Sequence, residues 1–199
     1  MARHPAFDRD EIIDRARDLF WRQGWAGTSM KDLGDVLGLK PGSFYGAFES
    51  KEGLFLLALD RYAADGAARL AELEVSLEPL EVLIDHLRQV VLATDRPARA
   101  CMLSKTLLET EGALKARADA HLSEMEARFA TLFRKAQSAA DIHRAHDPAH
   151  LARRYQADLI GLRAMAERPG TDAATLVADS VAGLRALSEP PRADRVAET

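Results

Sequence analysis

Apolar side chains recur along this chain at helical spacing, and no stretch alternates with the two-residue period of a half-buried strand. Over residues 8–23, Ile12, Ile13, Ala16, Leu19 and Phe20 fall on one helical stripe, and Gly24 and Gly27 bracket a break after it. Ser29 and Asp32 then have the S-x-x-D form of a capping box, in which hydroxyl and carboxylate satisfy backbone N–H groups that a helix start leaves unpaired. The helix predicted there buries Met30, Leu33, Val36 and Leu37. After the turn Leu37-Gly38-Leu39, Pro41 suits the first turn of another short helix, where its missing N–H costs nothing. Phe44 and Phe48, one turn apart, are expected to face the core of this small bundle. Ser50 caps a longer helix that runs to about Glu74 and buries Leu54, Phe55, Ala58 and Tyr62.

Breaks at Pro79, Pro97, Gly112, Pro148 and Pro169-Gly170 divide the remainder into predicted helices at 79–94, 100–109, 111–139, 148–167 and 172–188. The last two carry apolar stripes: Leu151, Tyr155, Leu159, Leu162 and Ala166, then Val177, Val181, Leu184 and Leu187. Small residues among them (Ala152, Gly161, Ala178, Ala182, Gly183) permit close helix packing. From Ser188 onward, Pro190, Pro191 and a low apolar content predict a mobile tail. The expected fold is all-α. A three-helix helix-turn-helix domain spans residues 1–49, a larger helical domain spans 50–188, and a flexible tail spans 189–199.

Two short helices joined by a glycine-containing turn form a helix-turn-helix, whose second helix can enter the DNA major groove. Charge changes this picture only mildly. The formal net charge is −4, and residues 1–60 carry 8 Lys/Arg against 10 Asp/Glu, whereas a nonspecific nucleic-acid binder carries a basic excess. A local cationic face needs only a few well-placed side chains. No apolar run approaches the roughly 18 residues of a membrane span, and the single cysteine, Cys101, excludes an intramolecular disulfide framework and a multi-cysteine zinc site. A cytoplasmic protein with no membrane partner is expected.

The residues Thr28-Ser29-Met30, Asp32-Leu33, Gly38-Leu39, Gly42-Ser43-Phe44-Tyr45, Phe48 and Ser50-Lys51-Glu52 stand in the order of a known amino-terminal signature. With them the chain resembles the TetR family of one-component transcriptional regulators. The resemblance implies three amino-terminal helices for DNA, a long fourth helix bridging into a ligand-binding domain, and a homodimer built on the last two long helices. Leu151, Tyr155, Leu159, Leu162, Val177, Val181 and Leu184 are the residues it suggests for that interface. Two departures stand out: many members have Ser then Lys where this chain has Lys40-Pro41, and His where it has Gly46.

The expected DNA-binding residues each have a physical reason. Thr28 and Ser29 bring hydroxyls to a helix start, where free N–H groups suit a phosphate. Lys31, Lys40 and Lys51 supply cations, Tyr45 a phenolic hydroxyl, and Pro41, Gly42 and Ser43 the leading edge of the recognition helix. The arm Arg3-His4 could reach an adjacent groove. Candidates to line an apolar pocket for a small molecule are Tyr62, His86, Met102, Lys105, Glu109, His121, Met125 and Tyr155, although residues of these types at helical spacing are more often core.

Cys101, with apolar neighbours, reads as a buried thiol. His143, His146 and His150 could suggest a metal site, but Pro148 interrupts their helix, and Asp147 is better explained as a cap before proline. No metal, cofactor or catalytic set is expected. The reading is a homodimeric repressor released from a double-stranded DNA operator by a small-molecule effector. Its rival is a helical small-molecule-binding or interaction protein whose helix-turn-helix no longer reads DNA, motivated by the acidic balance and the missing side chains at Gly46 and Ala47.

Overall fold

The computed structural model describes residues 8–191; Arg3-His4 and residues 192–199 of the predicted tail lie outside the described residues. Nine α-helices follow one another, with no strand among the described residues. They are α1 (Arg9–Gly27), α2 (Met30–Leu37), α3 (Pro41–Phe48), α4 (Lys51–Ser76), α5 (Pro79–Leu92), α6 (Met102–Glu109), α7 (Gly112–Ser138), α8 (Pro148–Met165) and α9 (Ala173–Arg185). A 3-10 turn over Ala186–Ser188 ends the series. The all-α reading holds, and no described helix is long and apolar enough to cross a membrane.

The helices form two compact units. One contains the chain up to Arg69 together with Thr94–Glu124; the other contains Leu70–Ala93 together with the chain from Met125 onward. These are units of packing, and the functional division at residue 49 remains a proposal. In the first unit, α1 buries Ile12, Ala16 and Phe20, α2 buries Leu33 and Leu37, and α3 buries Phe44 and Phe48. Phe55 of α4 is closed from water, with its ring edge-on to Phe20 (4.6 Å between centroids) and to Trp25 (5.1 Å). Met30, predicted to be buried, is 38% exposed because it opens α2 on the solvent side.

The second unit closes around Leu83, Leu87, Phe129, Phe133 and Tyr155. The Tyr155 hydroxyl donates to the Leu83 carbonyl at 2.7 Å and lies 3.0 Å from His86 Nδ1, and complete burial pushes its pKa well up. Tyr155→Phe is expected to cost about 1–3 kcal/mol, because His86 loses its Nδ1 partner inside the core. Denaturant unfolding checks this, and a loss below about 0.5 kcal/mol would show the hydroxyl to be dispensable.

Most of the predicted interface stripe lies inside the protomer. Leu151, Tyr155, Leu159, Val177 and Val181 are buried in the core of the single protomer, with Leu162 and Leu184 packed partly against it. Their periodicity reports the inward faces of α8 and α9. The histidine run is also structural. Gln137 Nε2 donates to the carbonyls of His143 (3.3 Å) and His146 (2.7 Å), and His146 Nε2 lies 2.8 Å from the Glu189 carbonyl. Asp147 caps α8 through the Ala149 N–H, and no cluster suited to a metal occurs among the described residues.

Candidate nucleic-acid interface

The helix-turn-helix is α2, its turn and α3. Ser29 begins α2 as the capping box predicts: its hydroxyl accepts from Asp32 N–H at 3.1 Å, and Asp32 Oδ2 accepts from Ser29 N–H at 2.8 Å. Hydrogen bonds from the Ser29 hydroxyl and backbone hold the Asp32 carboxyl below its ordinary pKa. Gly38, at φ 66°, ends α2 in the left-handed region, where a side chain would be strained. Pro41 occupies the first turn of α3, after Lys40.

With Phe44 and Phe48 buried, α3 turns Pro41, Gly42, Ser43, Tyr45 and Gly46 to solvent. Tyr45 is 53% exposed, with its ring edge-on to Phe44 at 5.4 Å. Ser29, Lys31 and Lys40 are also exposed, and Lys31 lies 3.5 Å from Asp35. A Cβ added at Gly42 or Gly46 would meet nothing within 4 Å. The helix therefore offers backbone and small groups along an open edge.

Part of the acid in the amino-terminal helices is held in ion pairs between α1 and α4. Asp10 and Asp14 of α1 pair with Arg61 of α4 (2.8 and 3.2 Å). Asp14, Asp18 and Asp65 surround Arg17 at 3.1, 2.8 and 2.6 Å. Burial alone would lower the Arg17 pKa, but hydrogen bonding and charge from Asp18, with Asp65 and Asp14, raise it. These carboxylates thus tie α1 to α4, four of them sharing two guanidinium groups. Sequence composition carries no sign of this, since pairing is a property of position.

Two expected phosphate contacts are otherwise engaged. Thr28 is buried and donates through Oγ1 to the Gly24 carbonyl at 2.8 Å. Lys51 donates through Nζ to the Trp25 carbonyl at 2.7 Å, with its ammonium 4.0 Å from the centre of the Trp25 ring, and burial pushes its pKa down. Both side chains fasten the end of α1, and each would have to release a partner to reach DNA.

The residues expected to line a ligand pocket are shared between the two units. Tyr62, Met102, Lys105, Glu109 and His121 belong to the first unit, and His86, Met125 and Tyr155 to the second. Lys105 and Glu109 direct their charged groups to the backbone of α1. His121 Nε2 lies 2.7 Å from Asp60 and the Tyr62 hydroxyl 3.6 Å from Cys101 Sγ, while Met102 is buried and Met125 packs against the second core. A groove of about 300 Å³ lies in the second unit. It is lined by Leu87, Phe133, Leu151, Tyr155, Leu184 and Leu187 with a charged rim, and only Tyr155 was expected at a ligand site. Sequence reasoning missed Gly24 as a contact point; opposite charges four apart on the short α6 were the available signal.

The amino-terminal helices match the family model of bacterial regulatory proteins of the tetR family over residues 12–58. Over 109 residues the chain is 38% identical to the HTH-type transcriptional repressor ComR of Escherichia coli strain K12, covering 51% of each protein. The chain thus spans about half the length of the curated relatives it matches first. Solved structures extend the likeness. A cysteine mutant of the TetR family regulator CifR, complexed with 26-bp double-strand operator DNA, is 30% identical with a TM-score of 0.81, covering 94% of this chain and 100% of that one. A TetR family regulator from Cytophaga hutchinsonii is 26% identical with a TM-score of 0.78, covering 89% and 92%. The shared fold and 30% identity along nearly the whole chain make this protein a member of the TetR family of transcriptional regulators.

Proposed function

We propose that this chain is a homodimeric repressor that binds double-stranded operator DNA through α3 and releases it when a small molecule binds. The observation that carries the reading is the exposed edge of α3, from Pro41 to Gly46, on a fold shared with a regulator complexed with operator DNA. Each protomer places α3 in the major groove of one half-site, with half-sites about 34 Å apart or somewhat more. Phosphate contacts fall to the exposed Ser29, Lys31, Lys40 and Tyr45, and close approach to base edges to Gly42 and Ser43. The effector binds among the helices that follow α3, displaces α4 and lowers operator affinity by a coupling on the order of 1–3 kcal/mol. An anisotropy titration of the DNA upstream of its own gene, against calf-thymus DNA, tests the reading. Equal affinity for both would favour a helix-turn-helix that no longer reads sequence.

For the dimer, the faces of α8 and α9 that remain exposed replace the buried stripe. Ala157, Gly161 and Ala164 line one side of α8, and Ala178 and Ala182 one side of α9. Small side chains let two helix pairs approach closely without burying unpaired charge. A Cβ at Gly161 meets nothing within 4 Å of its own protomer, so Gly161→Arg is expected to leave the protomer folded and to disrupt association. Gly161→Ala should raise helix stability by about 0.5–1 kcal/mol. Sedimentation of the Arg variant as a monomer is the expected result, and an undiminished dimer would place the interface elsewhere.

A further inference from the structure

We propose that Lys105 and Glu109 of α6 are positioning residues for DNA binding, splicing a break in α1 and so fixing the junction from which α2 begins. The break is at Gly24, whose φ of 76° and ψ of 178° take the chain off the helical path inside α1. Such a departure interrupts the i→i−4 ladder at the step that would join the Trp25 N–H to the Trp21 C=O. Helix α6 supplies a partner to each. Glu109 Oε2 accepts from the Trp25 N–H at 2.8 Å, and Lys105 Nζ donates to the Trp21 carbonyl at 3.1 Å and the Arg22 carbonyl at 3.3 Å. Residues four apart share one face of a helix, so both head groups of α6 reach the two sides of the break together.

The fit depends on glycine. A Cβ at position 24 would stand 2.5 Å from Glu109 Oε2. Beyond the break the chain leads straight into the helix-turn-helix. Thr28 Oγ1 donates back to the Gly24 carbonyl, and Ser29 caps α2. The carbonyl of Trp25 is held by Lys51 at the start of α4. The Trp25 residue is thus fastened by its N–H to α6 and by its carbonyl to α4. A displacement of α6 withdraws both charged partners at once and loosens the last turn of α1, the segment that sets where α2 starts. This rests on the reading of α3 as a DNA-binding helix, and makes two side chains of α6 part of what positions it.

The test compares wild type, Glu109→Ala, Glu109→Gln and Lys105→Met for binding to a fluorescent duplex from upstream of the gene, with calf-thymus DNA as reference. Circular dichroism shows that each variant is folded. Amide exchange at residues 25–33 reads the junction without DNA. Glu109→Ala is expected to speed exchange there and weaken the duplex at least about tenfold, while Glu109→Gln, which keeps a carbonyl acceptor for Trp25, restores most of both. Lys105→Met is expected to act in the same direction. Should Glu109→Ala be unfolded, Lys105→Met decides between the outcomes by itself. A wild-type preference for the duplex that survives these variants unchanged overturns the proposal alone. A wild type with no such preference overturns the DNA-binding reading and this proposal with it.

Discussion

Phe55→Ala is expected to destabilise the protein by about 3–5 kcal/mol, the range for emptying a closed aromatic site. Phe55 is 1% exposed and stacks edge-on against both Phe20 of α1 and Trp25 beyond the Gly24 break. The truncation therefore removes burial, leaves a cavity and forfeits two aromatic pairs worth about 0.5–1.5 kcal/mol each beyond their area. Because α4 begins at Lys51, immediately after α3, the loss falls where the helix-turn-helix is anchored. Denaturant unfolding should show a lower midpoint. A loss under about 1.5 kcal/mol would mean that neighbouring rings collapse into the space.

Gly24→Ala should cost about 3 kcal/mol or more, from two separate causes. The dihedral angles at Gly24 lie in a region essentially reserved for glycine, and occupying it with a side chain costs about 1–3 kcal/mol. The new Cβ also displaces the Glu109 carboxylate. Moving the end of a flexible side chain is sterically cheap, but it sacrifices a charge-assisted bond to Trp25 worth about 1.5–3 kcal/mol. The opposing effect is that alanine is the best helix former, so α1 could straighten through the break. A variant as stable as wild type, measured by the same unfolding experiment, would show that it does.

These two positions mark what the sequence could and could not disclose. Every helix was legible, because 3.6-residue periodicity, capping residues and proline breaks act locally. The capping box at Ser29, Pro41 in the first turn of α3 and Asp147 before Pro148 all stand as predicted. The exposed edge of α3 was legible for the same reason, since Phe44 and Phe48 fix which side faces inward.

Facing partners were not legible. The stripes of α8 and α9 are apolar whether they meet their own core or a second copy, and periodicity does not distinguish the two. Lys51 is a cation at a helix start on any reading, and only the fold places the Trp25 carbonyl 2.7 Å from it. Gly24 announced a break without saying that Glu109, 84 residues away when counted from Trp25, would fill it.

The central claim, that the exposed edge of α3 meets DNA, is tested most directly by Gly46→Glu. Nothing lies within 4 Å of a Cβ added there, and glutamate is a better helix former than glycine, so the fold should be at least as stable as in wild type. The new carboxylate would face the phosphates and base edges, where like charges cost several kcal/mol. Anisotropy titration against the upstream duplex should show affinity falling about 100-fold or more while the melting temperature holds or rises. Undiminished affinity in a folded Gly46→Glu protein would contradict the claim that α3 is the element that reads DNA.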